Sequence, residues 1–229
     1  MYLGIDTSGA VAASLVVDGD HAHTLRDDEP RRHAEHLAPF VAELLERVGA
    51  TPADVEAVVV GTGPAPFTGL RVGLVTARVL GLARGVPVLG VPSLDALAEA
   101  AVQHGALPDG TSVLVVTDAR RREVYWARYE VRGGVAERTA GPDVAAPADV
   151  PRGAGDVVLG AGRDLYPDVL GARDPRLAGD DPALVHPDPA LLVRIARRRA
   201  AAGEPLPVEP LYLRRPDAVP PAGAKRVLA

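Results

Sequence analysis

The chain has no cysteine among its 229 residues, and it has one methionine, one tryptophan and one lysine, Lys225. The absence of cysteine excludes disulfides, thiolate catalysis and metal sites built on cysteine. Aromatic residues make up only 3% of the chain, whereas hydrophobic residues make up 47%. A chain of this length and composition can form one domain or two small lobes around a sizeable core.

Long apolar runs are also missing, because none approaches the roughly 20 residues that span a bilayer. The first residues contain neither the basic region nor the apolar region of a signal peptide. We therefore expect a soluble, cytoplasmic chain without a membrane partner. The formal net charge of −5 argues against strong nucleic-acid binding by the chain alone, because phosphate contacts need a basic face.

The most distinctive segment spans residues 61–73, with the sequence GTGPAPFTGLRVG. It follows an apolar run and leads into a long segment of small and apolar residues, which predicts a strand, a tight turn and a helix. The turn contains no Lys, His, Cys or Glu, and its only nucleophiles are Thr62 and Thr68. We interpret it as a loop that positions or presents a helix.

Hydrophobic periodicity predicts two lobes, an N-terminal lobe over residues 1–108 and a C-terminal lobe with a proline-rich tail over 109–229. The first lobe is predicted to run β-β-β-α-β-α-β-α. Its strands are expected at about 3–8, 12–17, 21–26, 54–60 and 86–91, and its helices at about 33–48, from the turn to about 84, and at 93–104. The second is predicted to have strands at 113–116, 123–129 and 157–160 and helices at 163–170 and 189–202. Residues 133–156 show no clear periodicity.

Five motifs together carry a family resemblance. They lie at residues 3–8, 32–35, 61–73, 118–127 and 210–214. In this order they resemble the bacterial TsaB (YeaZ) family, and the resemblance covers nearly the whole chain. The family loop usually reads Gly-Pro-Gly-Ser-Phe-Thr-Gly-Leu-Arg, whereas Ala65 and Pro66 stand here in place of Gly-Ser. Since a positive φ is costly for alanine and a following proline favours extended backbone, we predict an extended Ala65.

The resemblance implies a two-lobed α/β fold of the actin, hexokinase and Hsp70-like (ASKHA) superfamily. It implies a function in the threonylcarbamoylation of adenosine 37 in tRNAs that read codons starting with A. In this family the catalyst is a metal-carrying paralogue, a TsaD-like transferase, which TsaB-like proteins bind and activate. The chain is therefore expected to be a non-catalytic subunit without cofactor or metal, which forms a heterodimer with a TsaD-like transferase. A TsaE-like ATPase is a further candidate partner, a homodimer is expected when the chain is alone, and tRNA is expected only through the complex.

The helix after the loop is the predicted partner surface. Gly73, Ala77 and Gly81 recur at four-residue spacing and form a smooth stripe that another helix can approach closely. The helix is apolar nearly all round, which indicates burial on two sides, one against its own sheet and one against a partner. The competing interpretation is that the stripe packs on the chain's own sheet. With the neighbouring helix at 33–48, the predicted interface is Leu37, Val41, Leu44, Arg71, Gly73, Leu74, Ala77 and Gly81.

A nucleotide site is the first chemical alternative. Asp6, Thr7 and Ser8 lie where this superfamily places its first phosphate loop, so they are candidates for a vestigial nucleotide-binding site. The second hairpin, residues 118–122, lacks the glycine that lets backbone N–H groups approach phosphates. An ATP-dependent kinase is therefore the disfavoured alternative, and a homodimeric binding module is the third.

Other chemistries have weaker support. His33, Glu35 and His36 lie near a helix start, but the histidines are three residues apart, whereas zinc helices place them four apart. No serine or metal protease motif is present. The arginine runs at 120–122 and 197–199 are interpreted as a solvated turn and a solvated helix end, because arginine is almost the only base in this chain. A modest accessory contact of these arginines with tRNA stays open.

Overall fold

The computed structural model describes residues 1–19, 21–28, 33–177 and 179–214. Most of the proline-rich tail and Arg32 of the second motif therefore lie outside the described residues, as do the side chains of His33 and Glu35. Within the described part of the chain, no helix is long and apolar enough to cross a membrane.

The first sheet has five strands in the order β3-β2-β1-β4-β5. Strands β1 to β3 are antiparallel neighbours, whereas β4 and β5 run parallel to β1. This arrangement confirms the actin-like fold predicted from the element order. The strands are β1 (Tyr2–Asp6), β2 (Val11–Val16), β3 (Ala22–Asp27), β4 (Ala57–Gly61) and β5 (Val88–Val91).

Two helices cover one face of this sheet, α1 (His33–Arg47) and α2 (Phe67–Arg84). Helix α2 ends at Arg84 and is capped by Gly85, whose positive φ of 66° favours glycine. In the loop before α2, Gly63 has a φ of 88°, whereas Ala65 is buried without a positive φ. The loop therefore accommodates alanine at position 65 without left-handed backbone there, as the sequence predicted.

The second sheet has four strands in the order β8-β7-β6-β9. They are β6 (Ser112–Asp118), β7 (Val124–Arg132), β8 (Val135–Ala145) and β9 (Val157–Leu159). The sequence missed β8, an 11-residue strand in the stretch interpreted as irregular. Its polar residues and its internal Gly141-Pro142 hide the strand pattern, but an edge strand tolerates proline because it needs fewer ladder hydrogen bonds.

The helices α3 (Ser93–Gly105) and α6 (Pro189–Ala201) pack against each other and against the two sheets. Helix α3 packs on the second sheet, whereas α6 packs on the far face of the first. Between them, α4 (Ala161–Leu165) and α5 (Pro167–Leu170) replace the single helix predicted at 163–170. Because each sheet is covered in part by a helix from the other half of the chain, the division at residue 108 stays a prediction.

Candidate functional site

The stripe of small residues on α2 faces the chain's own sheet. Ala77 is completely buried, and Gly73 and Gly81 are buried beside it. A Cβ at Gly73 would lie 2.6 Å from the Thr7 Oγ1 atom, and a Cβ at Gly81 would collide with the Val88 side chain. The small residues therefore let α2 sit closely on its own sheet. This corrects the prediction that Gly73, Ala77 and Gly81 meet a partner.

The other predicted interface residues are divided between core and surface. Leu37, Leu44 and Leu74 are buried in the same core as the stripe, so the structure also removes them from the surface. Val41 is half-buried and Arg71 is exposed. Only these two of the predicted residues can reach a partner in this conformation.

The opposite side of α2 is apolar and exposed. Val75 and Val79 are each 59% exposed and Leu82 is 86% exposed, at i, i+4 and i+7 of the helix. Ala38 and Ala42 are exposed on α1, which packs beside α2. We call Ala38, Ala42, Val75, Val79 and Leu82 the outer face. Large apolar residues exposed in register on a helix are typical of interaction surfaces.

The sequence analysis missed these residues, although their signal was present. A spacing of i, i+4 and i+7 defines a helix face as clearly as the buried stripe does. The stripe of small residues drew attention because glycine within a helix needs a packing reason. That reason is the sheet beneath it.

An aromatic cluster lies at the N-terminal end of α2. The Arg71 guanidinium lies 3.5 Å from the centre of the Phe67 ring, and its Nε donates a 3.1 Å hydrogen bond to the Tyr212 hydroxyl. The two rings are 5.0 Å apart, and Phe67 and Tyr212 are 45% and 41% exposed. Exposed tyrosine and arginine are typical anchors of protein interfaces. We call these three residues the aromatic cluster.

Tyr212 reaches this position through an extended segment, residues 204–214. The Leu206 carbonyl accepts a 3.0 Å hydrogen bond from the Gly90 amide, and the Thr62 carbonyl accepts one of 2.9 Å from the Leu211 amide. The segment therefore lies beside β5, the edge strand of the first sheet. It also contacts the loop at 61–66 through Thr62.

Asp6 supports the same loop from beneath. Its carboxylate is buried, and it accepts hydrogen bonds from the Ser8 amide and hydroxyl and from the Ser93 hydroxyl. The Ser93 Oγ atom in turn accepts a 3.1 Å bond from the Gly63 amide. Burial raises the pKa of Asp6, while these hydrogen bonds act in the opposite direction. Ser93 thus anchors the loop before α2.

Thr7 fastens the first turn of α2 to β1. Its hydroxyl donates a 2.8 Å hydrogen bond to the Gly69 carbonyl and accepts one of 3.0 Å from the Gly73 amide. Asp6 and Thr7, two of the three predicted nucleotide-site residues, therefore hold the loop and helix in place.

A cleft of about 390 Å³ is lined by residues from both halves of the chain. Its walls include Ser8, the third predicted nucleotide-site residue, and Asp118 and Arg120 from the β6–β7 turn. Asp6 and Thr7 are not part of these walls, and the glycines Gly160 and Gly162 lie tightly against Val116 of β6. Two of the three predicted nucleotide-site residues thus lie outside the cleft, and the glycine turn at 160–162 packs on Val116.

Metal-binding geometry is not found either within the ranges that the structure describes, where no three His, Asp or Glu side chains group as ligands. The His36 Nδ1 atom lies 2.5 Å from an oxygen of Asp27 on β3. This places His36 in a local pair between α1 and the sheet.

Comparison with known proteins gives consistent matches. A family model described as TsaD, tRNA N6-adenosine threonylcarbamoyltransferase, matches residues 28–156. An Escherichia coli protein named tRNA threonylcarbamoyladenosine biosynthesis protein TsaB is 30% identical, over 93% of this chain and 94% of its own. An uncharacterized protein of Mycobacterium tuberculosis is 45% identical, over 95% and 93% of the two chains. A Pseudomonas aeruginosa crystal structure, described as similar to the peptidase YeaZ, superposes with a TM-score of 0.78 at 31% identity, covering 93% of this chain and 99% of that one.

Proposed function

This chain belongs to the TsaB (YeaZ) family, and on that premise we propose that it is the subunit a TsaD-like transferase requires to threonylcarbamoylate adenosine in tRNA. The names of its relatives and the TsaD-type family model support this function. The structural observation that supports the function for this chain is the outer face. Its apolar residues on α1 and α2 are exposed, and no described element of the chain covers them.

The partner fits this surface because the two proteins are paralogues. Residues 28–156 match a TsaD-type model and include both α1 and α2, so the transferase has equivalent helices. Two related helix pairs can meet about a pseudo-twofold axis, as identical subunits do about a true one. Val75, Val79 and Leu82 would then enter the helix–helix contact, and the aromatic cluster would lie at its end. Full burial of each aliphatic side chain contributes about 1.5–3 kcal/mol.

The chemistry belongs to the transferase in this proposal. Asp6 and Thr7 are engaged by hydrogen bonds around the loop before α2, and neither residue lines the cleft. The chain then acts by binding, and what it contributes is the outer face held in a fixed position. The kinase alternative lacks a supporting observation.

The same surface supports the further parts of the proposal. Without the transferase the outer face is expected to pair with a second copy, giving a weak homodimer in the cytoplasm. A TsaE-like ATPase would join only after the heterodimer has formed, and tRNA would bind only to the assembly.

The test is threonylcarbamoylation of a tRNA by a purified TsaD-like transferase, with and without this chain. We expect strong dependence of the modification on the chain and loss of this effect with Val79→Arg. The control Arg132→Ala, an exposed position on β7 of the second sheet, should cause no loss. Equal modification without the chain, or ATP turnover by the chain alone, would overturn the proposal.

A further inference from the structure

Arg71 on α2 is held in a fixed position by two aromatic side chains. Its guanidinium lies 3.5 Å from the centre of the Phe67 ring, and its Nε atom donates a 3.1 Å hydrogen bond to the Tyr212 hydroxyl. Phe67 lies one helical turn earlier on α2, whereas Tyr212 belongs to the extended segment, so two separate parts of the chain hold the group. Because the side chain is already restricted, binding through it costs less rotamer entropy than binding through a free arginine.

Two of the three guanidinium nitrogens of Arg71 have no partner within the described part of the chain. Tyr212 accepts from Nε, but no described oxygen accepts from Nη1 or Nη2 and no described carboxylate pairs with the group. Arg71 is also exposed. A guanidinium binds a carboxylate through two N–H donors at once, so Arg71 presents an available binding group at this end of α2.

The charges around Arg71 do not neutralise it. Helix α2 contains no Asp or Glu, and its nearest other cation, Arg78, donates a 3.0 Å hydrogen bond to a backbone carbonyl of the extended segment. On that segment Arg214 pairs with Glu123, and Glu209 is exposed and forms no ion pair with a described residue. One carboxylate thus lies along the chain near two arginines, and it bonds to neither of them.

A second copy of the chain offers little to Arg71. Its α2 would bring further arginines and no acid into a contact between the two α2 helices. On α1, Glu43 is paired with Arg47, so among the described side chains of that helix Glu46, four residues after Ala42, is the carboxylate left beside the outer face. A partner with its own acidic side chain opposite Arg71 would therefore be preferred to a second copy.

We propose that Arg71 is a preformed receptor for an Asp or Glu side chain of the transferase, and that this ion pair favours the heterodimer over the homodimer. The inference rests on the proposed function, because the outer face brings the transferase beside the aromatic cluster. Val75 follows Arg71 by one turn, so the cation lies at the edge of the apolar outer face, where interfaces carry their polar rim. Phe67 and Tyr212 are positioning residues, which hold the guanidinium toward the partner.

The test compares the wild-type chain with Arg71→Ala, Arg71→Lys and Tyr212→Phe. The matched control is Arg84→Ala, which removes an exposed arginine of the same helix that also donates to a backbone carbonyl. Arg84 lies two residues after Leu82 and so points away from the outer face. For each protein the dissociation constant for the purified transferase is measured at low and high salt, and that of the homodimer by sedimentation.

We expect Arg71→Ala to bind the transferase about 30-fold more weakly at low salt, as truncation of an interface anchor does, with a shallower salt dependence. Arg71→Lys keeps the charge but loses the fork, so it should bind about tenfold more weakly with the salt dependence retained. Tyr212→Phe keeps the ring but not the acceptor and should bind about threefold more weakly. The control should bind as the wild type does, and the homodimer should change little in every variant.

Wild-type affinity of Arg71→Ala for the transferase would overturn the proposal, and so would Arg71→Lys binding as tightly as the wild type, since a point charge would then suffice. An equal loss in the homodimer would also overturn it, because the carboxylate would then come from the second copy. A wild-type chain that binds the transferase without promoting tRNA modification would instead refute the proposed function.

Discussion

Ser93 donates a 2.6 Å hydrogen bond through its hydroxyl to the buried Oδ2 atom of Asp6. The bond joins the end of β1 to the first residue of α3, and the Gly63 amide completes the connection to the loop before α2. The Asp6 carboxylate, one of the predicted nucleotide-site groups, thus holds the loop from which α2 starts.

The buried state of Asp6 predicts a particular pH dependence. Burial raises its pKa in the folded protein, so as pH rises above about 4 the unfolded chain releases this proton first. The free energy of unfolding should therefore fall with rising pH, relative to an Asp6→Asn variant, until the folded-state pKa is passed. Urea titrations of both proteins between pH 4 and pH 7 measure the difference, in which contributions of other groups such as Asp188 cancel. A difference that is constant, or that changes in the opposite direction, would contradict this.

An arginine introduced on α2 should have opposite effects on folding, depending on which face of the helix carries it. Ala77→Arg places a cation in a fully buried position against the sheet, so we expect the chain to unfold. Val79→Arg lies on the outer face and should leave the fold intact but prevent capture of the transferase. Circular dichroism and a pull-down, done on both variants, separate fold from binding. A folded Ala77→Arg protein that fails to bind would restore the small-residue stripe as the interface.

Asp95 on α3 connects this helix with the second sheet and with α6 through an ionic cluster, in which Asp95 itself is buried. It accepts hydrogen bonds from the Tyr129 hydroxyl, from Arg138 and from Arg199, at 2.7, 3.3 and 2.8 Å. Asp95→Ala leaves the buried tyrosine hydroxyl and two guanidinium groups without this acceptor, and should lower the free energy of unfolding by about 3–5 kcal/mol.

The control for this prediction is Glu43→Ala, which removes an exposed i,i+4 pair with Arg47 on α1. Exposed pairs of this kind contribute about 0.3–0.5 kcal/mol. Urea titration of both variants gives the comparison. Similar small losses would mean that the Asp95 cluster adds nothing beyond its neighbours' packing.

Gly90 predicts a way to detach the segment at 204–214. A Cβ at this position would collide with the Pro207 carbonyl and would lie 2.8 Å from the Thr62 side chain. Gly90→Ala should therefore displace the segment and separate Tyr212 from Phe67, which limited proteolysis detects as faster cleavage after residue 203. Gly155→Ala, where a Cβ meets open space, is the matched control. Unchanged protection of the segment in the Gly90 variant would show that it does not depend on this close approach.

The sequence by itself determined the order of strands and helices up to residue 105, the strands of the first sheet, and the sequence of strand, turn and helix around residues 61–73. These features depend on local patterns, such as apolar runs, glycine and proline punctuation and helical spacing, which are readable in one segment at a time. The sequence did not predict strand β8, because its local strand pattern is weak and its pairing with β7 compensates for this. Strand pairing is a non-local property that one segment of sequence does not reveal.

Only the tertiary structure decided which side of α2 is free. Both Gly73–Ala77–Gly81 and Val75–Val79–Leu82 are apolar helix faces, so hydrophobicity alone cannot rank them. The close approach of Thr7 and Val88 selects the face with small residues for the sheet, because larger side chains would not fit there. The same is true of Asp6, whose neighbours Ser8 and Ser93 are 85 residues apart in the chain and meet only when β1 and α3 are packed together.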